Sequence, residues 1–140
     1  MTSDMTQLTL PAVLENLASF QDFISKAAET AKISQARIGK LALASEEALV
    51  NIFSYAYPEG GTGNVTVTCI DNGDETFSIR FEDQGQPFNM LSVDDPDTAL
   101  SIDDRDIGGL GIFFIKQMTD SVEYERKDEM NILTLIFSGE

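Results

Sequence analysis

Four groups of residues in this chain have types and spacings that can do chemistry, and their order matters as much as their content. The first is Glu46-Glu47-Ala48-Leu49-Val50-Asn51. On a helix, residues four apart share a face, so Glu47 and Asn51 project together and Glu46 does not join them. A carboxylate can polarise a water or a hydroxyl, while an Asn carbonyl is a neutral oxygen ligand suited to Mg²⁺. The plain alternative is a solvated helix face. The second group is Asp83-Gln84-Gly85-Gln86-Pro87-Phe88. A carboxylate at a strand end can accept a hydrogen bond from an adenine amino group, and Gly85 lets the backbone approach a ring and turn sharply. Asp, Gly and Pro are also the commonest turn residues, so an ordinary turn is the competing reading.

The third group, Gly108-Gly109-Leu110-Gly111, stands at the start of an apolar helical pattern. Glycine-rich backbone at a helix N-terminus offers N–H groups and a positive dipole end to phosphate oxygens. No Lys-Ser/Thr follows, so this is not a P-loop, and Gly-x-Gly-x-x-Gly is absent. Close packing of a buried helix explains the same glycines. The fourth group is the stretch between, Asn89 to Ile107, which has no clear period and holds Asp94, Asp95, Asp97, Asp103, Asp104 and Asp106 against the single Arg105. Loops of this length often serve as lids over sites. Arg105 either reaches the terminal phosphate of a nucleotide or pairs with its neighbouring aspartates.

The elements that must position these residues are legible from periodicity. Leu8 and Leu10 alternate with Gln7 and Thr9, predicting a short strand ended by Pro11. Leu14, Leu17, Phe20 (or Gln21), Ile24, Ala27, Ala28 and Ala31 recur at helical spacing, giving a first amphipathic helix. Ser34 can cap a second, whose stripe runs through Ile38, Leu41, Ala48, Ile52 and Phe53 and which ends near Tyr57, before Pro58. Val65, Val67 and Cys69, then Phe77, Ile79 and Phe81, flank Asp71-Asn72-Gly73-Asp74 and predict an antiparallel hairpin. A third helix is expected from Leu110 to about Thr119, then a closing hairpin through Val122, Tyr124 and Ile132 to Phe137. The order β-α-α-β-β-lid-α-β-β favours a mostly antiparallel sheet covered by helices, an α+β layer.

Composition narrows the function classes. The 140 residues suit a single domain, and 42% hydrophobic content is enough for a packed core. A net charge of −15 disfavours nucleic acid and anionic membranes, and fits either a basic protein partner or simple solubility. The chain has no histidine, which removes His-based triads, the usual zinc sites and a phosphoacceptor histidine in cis. One cysteine, Cys69, permits no intrachain disulfide, and neither a signal peptide nor a membrane-length apolar run is read, so a cytoplasmic protein is expected.

The motifs in this order resemble the GHKL ATPase superfamily, which includes DNA gyrase, heat-shock chaperones, histidine kinases and mismatch-repair ATPases. There a helix carries Glu-x-x-x-Asn, followed by Asp-x-Gly-x-Gly, a mobile lid and a Gly-x-Gly helix start. The chain looks still more like the bacterial anti-sigma regulatory factor serine/threonine kinases. That likeness lies in its short length, the start Leu8-Thr9-Leu10-Pro11-Ala12, the stretch Ser45 to Asn51, and Ile107-Gly108-Gly109-Leu110-Gly111-Ile112. The resemblance covers nearly the whole chain. It implies one ATP-binding domain over residues 1–140 with a lid at 89–107, built as a two-layer α/β sandwich whose mixed, mostly antiparallel sheet is covered by helices, the Bergerat fold.

The resemblance also implies ATP and Mg²⁺ as cofactors. Glu47 would be the general base, Asn51 the Mg²⁺ ligand, and Asp83 the partner of the adenine amino group with Gly85 beside it. Gly108, Gly109, Leu110 and Gly111 would lie at the phosphates, with Arg105 reaching the terminal one, and Thr134 would stand near Asp83 and the adenine. The implied function is an anti-sigma factor that holds a sigma factor inactive and phosphorylates a small antagonist (anti-anti-sigma) protein on a hydroxyl. A homodimer is an allowed assembly; direct contact with nucleic acid or membrane is not expected. The chain departs from the family pattern in three places. Pro87 replaces the second glycine of Asp-x-Gly-x-Gly, Tyr55 stands where relatives often carry histidine, and the lid is unusually acidic. Pro87 and the lid point to a second reading, a non-catalytic nucleotide-binding module that chooses between protein partners. A self-contained histidine kinase is disfavoured by the absence of histidine.

Overall fold

Alternation of apolar and polar residues decides which side of a sheet is dry, and here it does so in four consecutive pairings. The structure is a computed structural model and describes residues 4–57, 63–73, 76–87 and 115–138. Strands β1 (Asp4–Pro11), β2 (Asn64–Asp71), β3 (Thr76–Asp83), β4 (Ser121–Lys127) and β5 (Met130–Ser138) form one sheet in the order β1-β2-β3-β5-β4. Every neighbouring pair is antiparallel. The α+β layer expected from the sequence is therefore the one observed, and no parallel pair occurs among the described residues. β5 does not sit at the edge: it inserts between β3 and β4, so the closing hairpin docks by its second strand.

Helices α1 (Leu17–Thr30) and α2 (Gln35–Tyr55) cover one face of this sheet. Two local devices set their junction. Lys32 adopts a left-handed φ of 66°, and the Ile33 N–H bonds back to the Ala28 carbonyl at 3.0 Å, which closes α1 and satisfies one of its last carbonyls. Ser34 then caps α2, its hydroxyl accepting from the Arg37 N–H at 3.3 Å. So short a connection makes the helices antiparallel neighbours, and the Phe20 and Phe53 rings meet with centroids 6.4 Å apart.

The dry layer between helices and sheet is filled by Phe20 and Ile24 from α1, Leu41, Leu49 and Ile52 from α2, and the inward row of each strand, such as Ile79, Phe81 and Leu135. Ile115, in the helical residues 115–118, is fully buried in the same core. The rest of the expected third helix lies outside the described residues. Two details differ from the periodic reading. Leu14 falls in a 3-10 turn (Leu14–Asn16) ahead of α1 and is 65% exposed, because the chain leaving Pro11 has not yet entered the helix. Phe53 is only partly buried, while Ala44 and Leu49 complete the buried stripe of α2. No helix among the described residues is long and apolar enough to cross a membrane.

Cys69 belongs to the inward row of β2, is 2% exposed, and has its thiol pushed up to about 12 by burial. The opposite face of the sheet carries Thr66, Arg80, Thr134 and Ile136, all half-buried. A two-layer arrangement makes these faces unequal. Ile79→Ala, on the dry face, is expected to cost about 2–5 kcal/mol by urea denaturation, and Ile136→Ala less than half as much. Equal losses would mean that the open face is also covered.

Candidate functional site

Asp83 ends β3 directly beneath the last turn of α2, and the backbone after it is bonded to that helix end. The Gln86 N–H donates to the Ala56 carbonyl at 2.9 Å, and the Gln86 side-chain amide donates to the Tyr55 carbonyl at 2.7 Å. Helix C-termini leave carbonyls unpaired, and the Asp-x-Gly loop supplies their donors. The approach is so close that only glycine fits at position 85. A Cβ there would lie 2.2 Å from the Ala56 carbonyl oxygen, a backbone atom that cannot move aside cheaply. Glycine was expected here to let backbone approach a ligand ring; in the structure what it approaches is α2. Tyr57 adds a third tie, its hydroxyl accepting from the Gln84 N–H at 2.9 Å and donating to the Asn64 carbonyl at 2.8 Å.

On α2 the two glutamates have different surroundings, as the helical spacing predicts. The Glu46 carboxylate accepts from the Gln21 side chain of α1 at 3.2 Å. Glu47 is half-buried on another face, and burial first, then the neighbouring Glu46 charge, holds its carboxyl above the ordinary range. Asn51, one turn on, is 5% exposed, and its amide nitrogen donates to the Glu47 carbonyl at 3.0 Å. That bond commits the nitrogen and leaves Oδ1 as the atom able to ligate a cation. Among the described residues no cluster of three or more His, Cys, Asp or Glu could hold a metal by itself.

Asp83 is 4% exposed. Burial raises its carboxyl above the usual carboxylate range; hydrogen bonds from Asn131 and the Gly85 N–H, then the Arg126 charge, oppose that rise. The Gly85 N–H and Asn131 Nδ2 both donate to Oδ1, each at 2.9 Å. Between Asp83 and α2 lies a cleft lined by Ile52, Ala56, Phe81, Tyr124, Asn131 and Leu133, apolar except at the Asp83–Asn131 end and nearly closed, enclosing about 10 Å³. Another concavity, of about 230 Å³, lies at the far end of the sheet beneath α1 and involves none of the residues selected from the sequence.

The structure thus brings Asp83 and Gly85 to the end of the helix that carries Glu47 and Asn51. Thr134 is not brought to Asp83. It pairs with Arg80 in the β3–β5 ladder, three positions away, and its parity puts it on the opposite face of the sheet. The residue across from Asp83 is Asn131, with Tyr124 and Arg126 of β4 behind it. Sequence reasoning missed all three, and a signal existed for the first: Asn131 is a polar residue in line with the inward row of Leu133, Leu135 and Phe137. Arg105, Gly108, Gly109, Leu110 and Gly111, and the expected lid at 89–107, lie outside the described residues.

A five-stranded antiparallel sheet under two helices, with Glu-x-x-x-Asn on a helix whose end is stitched to a strand-end Asp-x-Gly, defines an ATPase domain of the histidine kinase-like class. The chain belongs to that family, whose model, the histidine kinase-like ATPase domain, matches residues 10–137. It is 32% identical over 95 residues to the serine/threonine-protein kinase BtrW of Bordetella bronchiseptica, covering 68% of this chain and 66% of that protein. It is 31% identical over 121 residues to the serine-protein kinase RsbW of Halalkalibacterium halodurans, covering 84% of this chain and 73% of that one. The crystal structure of the RsbU and RsbW domains of a Mycobacterium tuberculosis protein superposes with a TM-score of 0.64 at 12% identity, covering 96% of this chain and 32% of that one, and shows the shared fold.

Gly85→Ala tests whether the stitch to α2 holds the site together. It is expected to lower stability by about 1–3 kcal/mol, as overpacking against fixed atoms does. A thermal melt within a degree of wild type would show that the loop can move away from Ala56.

Proposed function

We propose that this protein is an ATP-dependent serine/threonine protein kinase of the anti-sigma type, which holds a sigma factor and phosphorylates a small antagonist protein on a hydroxyl. The observation that carries the reading is the buried Asp83 carboxylate, locked to the end of the helix bearing Glu47 and Asn51. A buried carboxylate at the head of an apolar cleft matches a flat base with one amino group. The two donors on Oδ1 leave Oδ2 for the adenine 6-amino hydrogen. The cleft is too small for a purine as it stands, so its walls must part to admit one. Curated relatives are named as serine or serine/threonine-protein kinases, which favours the catalytic reading over the binding module.

Asn51 fits a Mg²⁺ site of the usual phosphate-assisted kind. One neutral protein oxygen is enough where substrate phosphates and water supply the other ligands. Mg²⁺, when bound, neutralises charge on the phosphates. Glu47 takes the proton of the antagonist's hydroxyl as its oxygen bonds to the γ-phosphorus of ATP. The bond to the β-phosphate oxygen breaks, and ADP leaves. A carboxyl held above the ordinary range by burial and Glu46 is a better proton acceptor than a free one.

Calorimetry is expected to show ATP bound with Mg²⁺ in preference to GTP, and Asp83→Ala to weaken ATP by about 1.5–3 kcal/mol, the range for hydrogen bonds to charged groups. Equal binding of ATP and GTP by the wild type would remove the adenine assignment.

Glu47→Ala separates binding from chemistry. It should keep ATP affinity while abolishing transfer of labelled phosphate to the antagonist, whereas Glu46→Ala should leave transfer in place. Inactivation by the Glu46 change alone would reverse the assignment of the two faces.

A further inference from the structure

Asn131 uses every hydrogen-bonding position an amide has. Its Nδ2 donates to Asp83 Oδ1 at 2.9 Å and to the Gln86 carbonyl at 2.8 Å. Its Oδ1 accepts from the Tyr124 hydroxyl at 2.5 Å and from Arg126 Nη1 at 3.3 Å. Arg126 Nη1 also donates to the Gly85 carbonyl at 2.9 Å. The direction of this amide is not free. Turned over, it would set its oxygen against a carboxylate and a carbonyl, and its N–H groups against a guanidinium, which has no acceptor. Arg126 therefore dictates which end of Asn131 faces Asp83.

We propose that Asn131 is a positioning residue that presets Asp83 as an acceptor, and that Arg126 and Tyr124 of β4 fix its orientation, so that the choice of ATP over GTP is set from the edge of the sheet. This rests on the reading of Asp83 as the adenine partner. With Oδ1 saturated by Gly85 and Asn131, the remaining oxygen meets the base as a pure acceptor. That suits the 6-amino group of adenine and repels the 6-carbonyl of guanine. A protonated Asp83 would do the reverse, donating to guanine. Burial pushes Asp83 toward that protonated form, and Asn131 is the first of the opposing influences. Among the described residues, the other ionisable groups facing Asp83 are Arg126 from β4, which also opposes protonation, Tyr124 from β4 across the cleft, and Tyr57 just after α2, whose hydroxyl is pushed up by burial first and, against the Gln84 N–H, by Asp83 as well. Glu82 is on the other face of β3, and α2 presents only Ile52 and Ala56 to the cleft.

Asp83 accepts from adenine when ionised, so ATP affinity is present above its titration midpoint and lost as pH falls through it. Removing the Asn131 donor raises that midpoint, so the acidic fall-off of affinity moves to higher pH. The test compares wild type, Asn131→Leu, Asn131→Asp and Arg126→Ala. The Asp83 carboxyl is titrated by carbon NMR in the nucleotide-free protein, and Kd values for ATP and GTP are measured across pH. Asn131→Leu should move the midpoint up and cut the ATP-to-GTP preference about tenfold, the loss expected for a charge-assisted bond. Asn131→Asp should cut it further, since two adjacent carboxylates share a proton. Arg126→Ala, at an exposed position that leaves the core intact, should move both readouts the same way by less. An Asp83 midpoint unmoved in Asn131→Leu and Arg126→Ala overturns the proposal, as does equal weakening of ATP and GTP. If the midpoint moves but wild type binds both nucleotides alike, the adenine reading falls and the Asn131–Asp83 coupling stands.

Discussion

The contact on which the site depends is a backbone contact: residue 85 against the carbonyl of Ala56. Because no side chain separates them, the turn after β3 reaches the end of α2 and donates to its unpaired carbonyls. The helix brings Glu47 and Asn51, the strand brings Asp83, and this junction makes them one site. The same economy explains why the turn is tied down at several points although Gln84 and Gln86 are exposed and only Gly85 is buried. Their polar groups are consumed by the helix end, by Tyr57 and by Asn131. A larger residue at position 85 would separate two sets of functional groups that lie more than 30 positions apart in the chain.

Electrostatics at this junction runs against the bulk character of the protein. The chain carries a net charge of −15, yet the most buried carboxylate among the described residues is supported by N–H donors and a nearby guanidinium. Buried charges persist when paired or hydrogen-bonded, and otherwise they neutralise. Asp83 sits between those outcomes, desolvated enough to favour the proton and solvated enough by Asn131, Gly85 and Arg126 to resist it. Glu47 has less support. Its neighbour Glu46 adds like charge, and the Gln21 bond goes to Glu46 instead.

What was legible in the sequence followed from local rules. Helical spacing separated Glu47 from Glu46, Ser34 announced the start of α2, and alternation located both hairpins. What was not legible depended on register between distant strands. Reading the last strand from Ile132 hid Asn131, and nothing local says that Asn131 pairs with Asp83 while Thr134 pairs with Arg80. Side-chain parity then does the rest, because a shift of one position exchanges the two faces of a sheet. The resemblance supplied a threonine near the base; pairing geometry supplies an asparagine. Leu14 shows a smaller limit of the same sort, since a spacing rule cannot tell the first turn of a helix from the 3-10 turn before it.

The insertion of β5 between β3 and β4 also shapes how the molecule is made. The helical hairpin and the β2–β3 hairpin join residues close in sequence, whereas the Asp83–Asn131 bond spans 48 positions. Bringing distant segments together costs chain entropy before any contact rewards it, and such pairings set the pace of folding. Docking of β5 is one such step, as is the pairing of β1 with β2, and it completes the wall of the cleft as well as the sheet. A partly folded molecule can hold both helices and a correct β1–β2–β3 sheet and still have no Asn131 beside Asp83. The ability to recognise a base therefore depends on β5 being docked, since a chain whose β5 has not yet paired with β3 lacks the Asn131 side of the cleft.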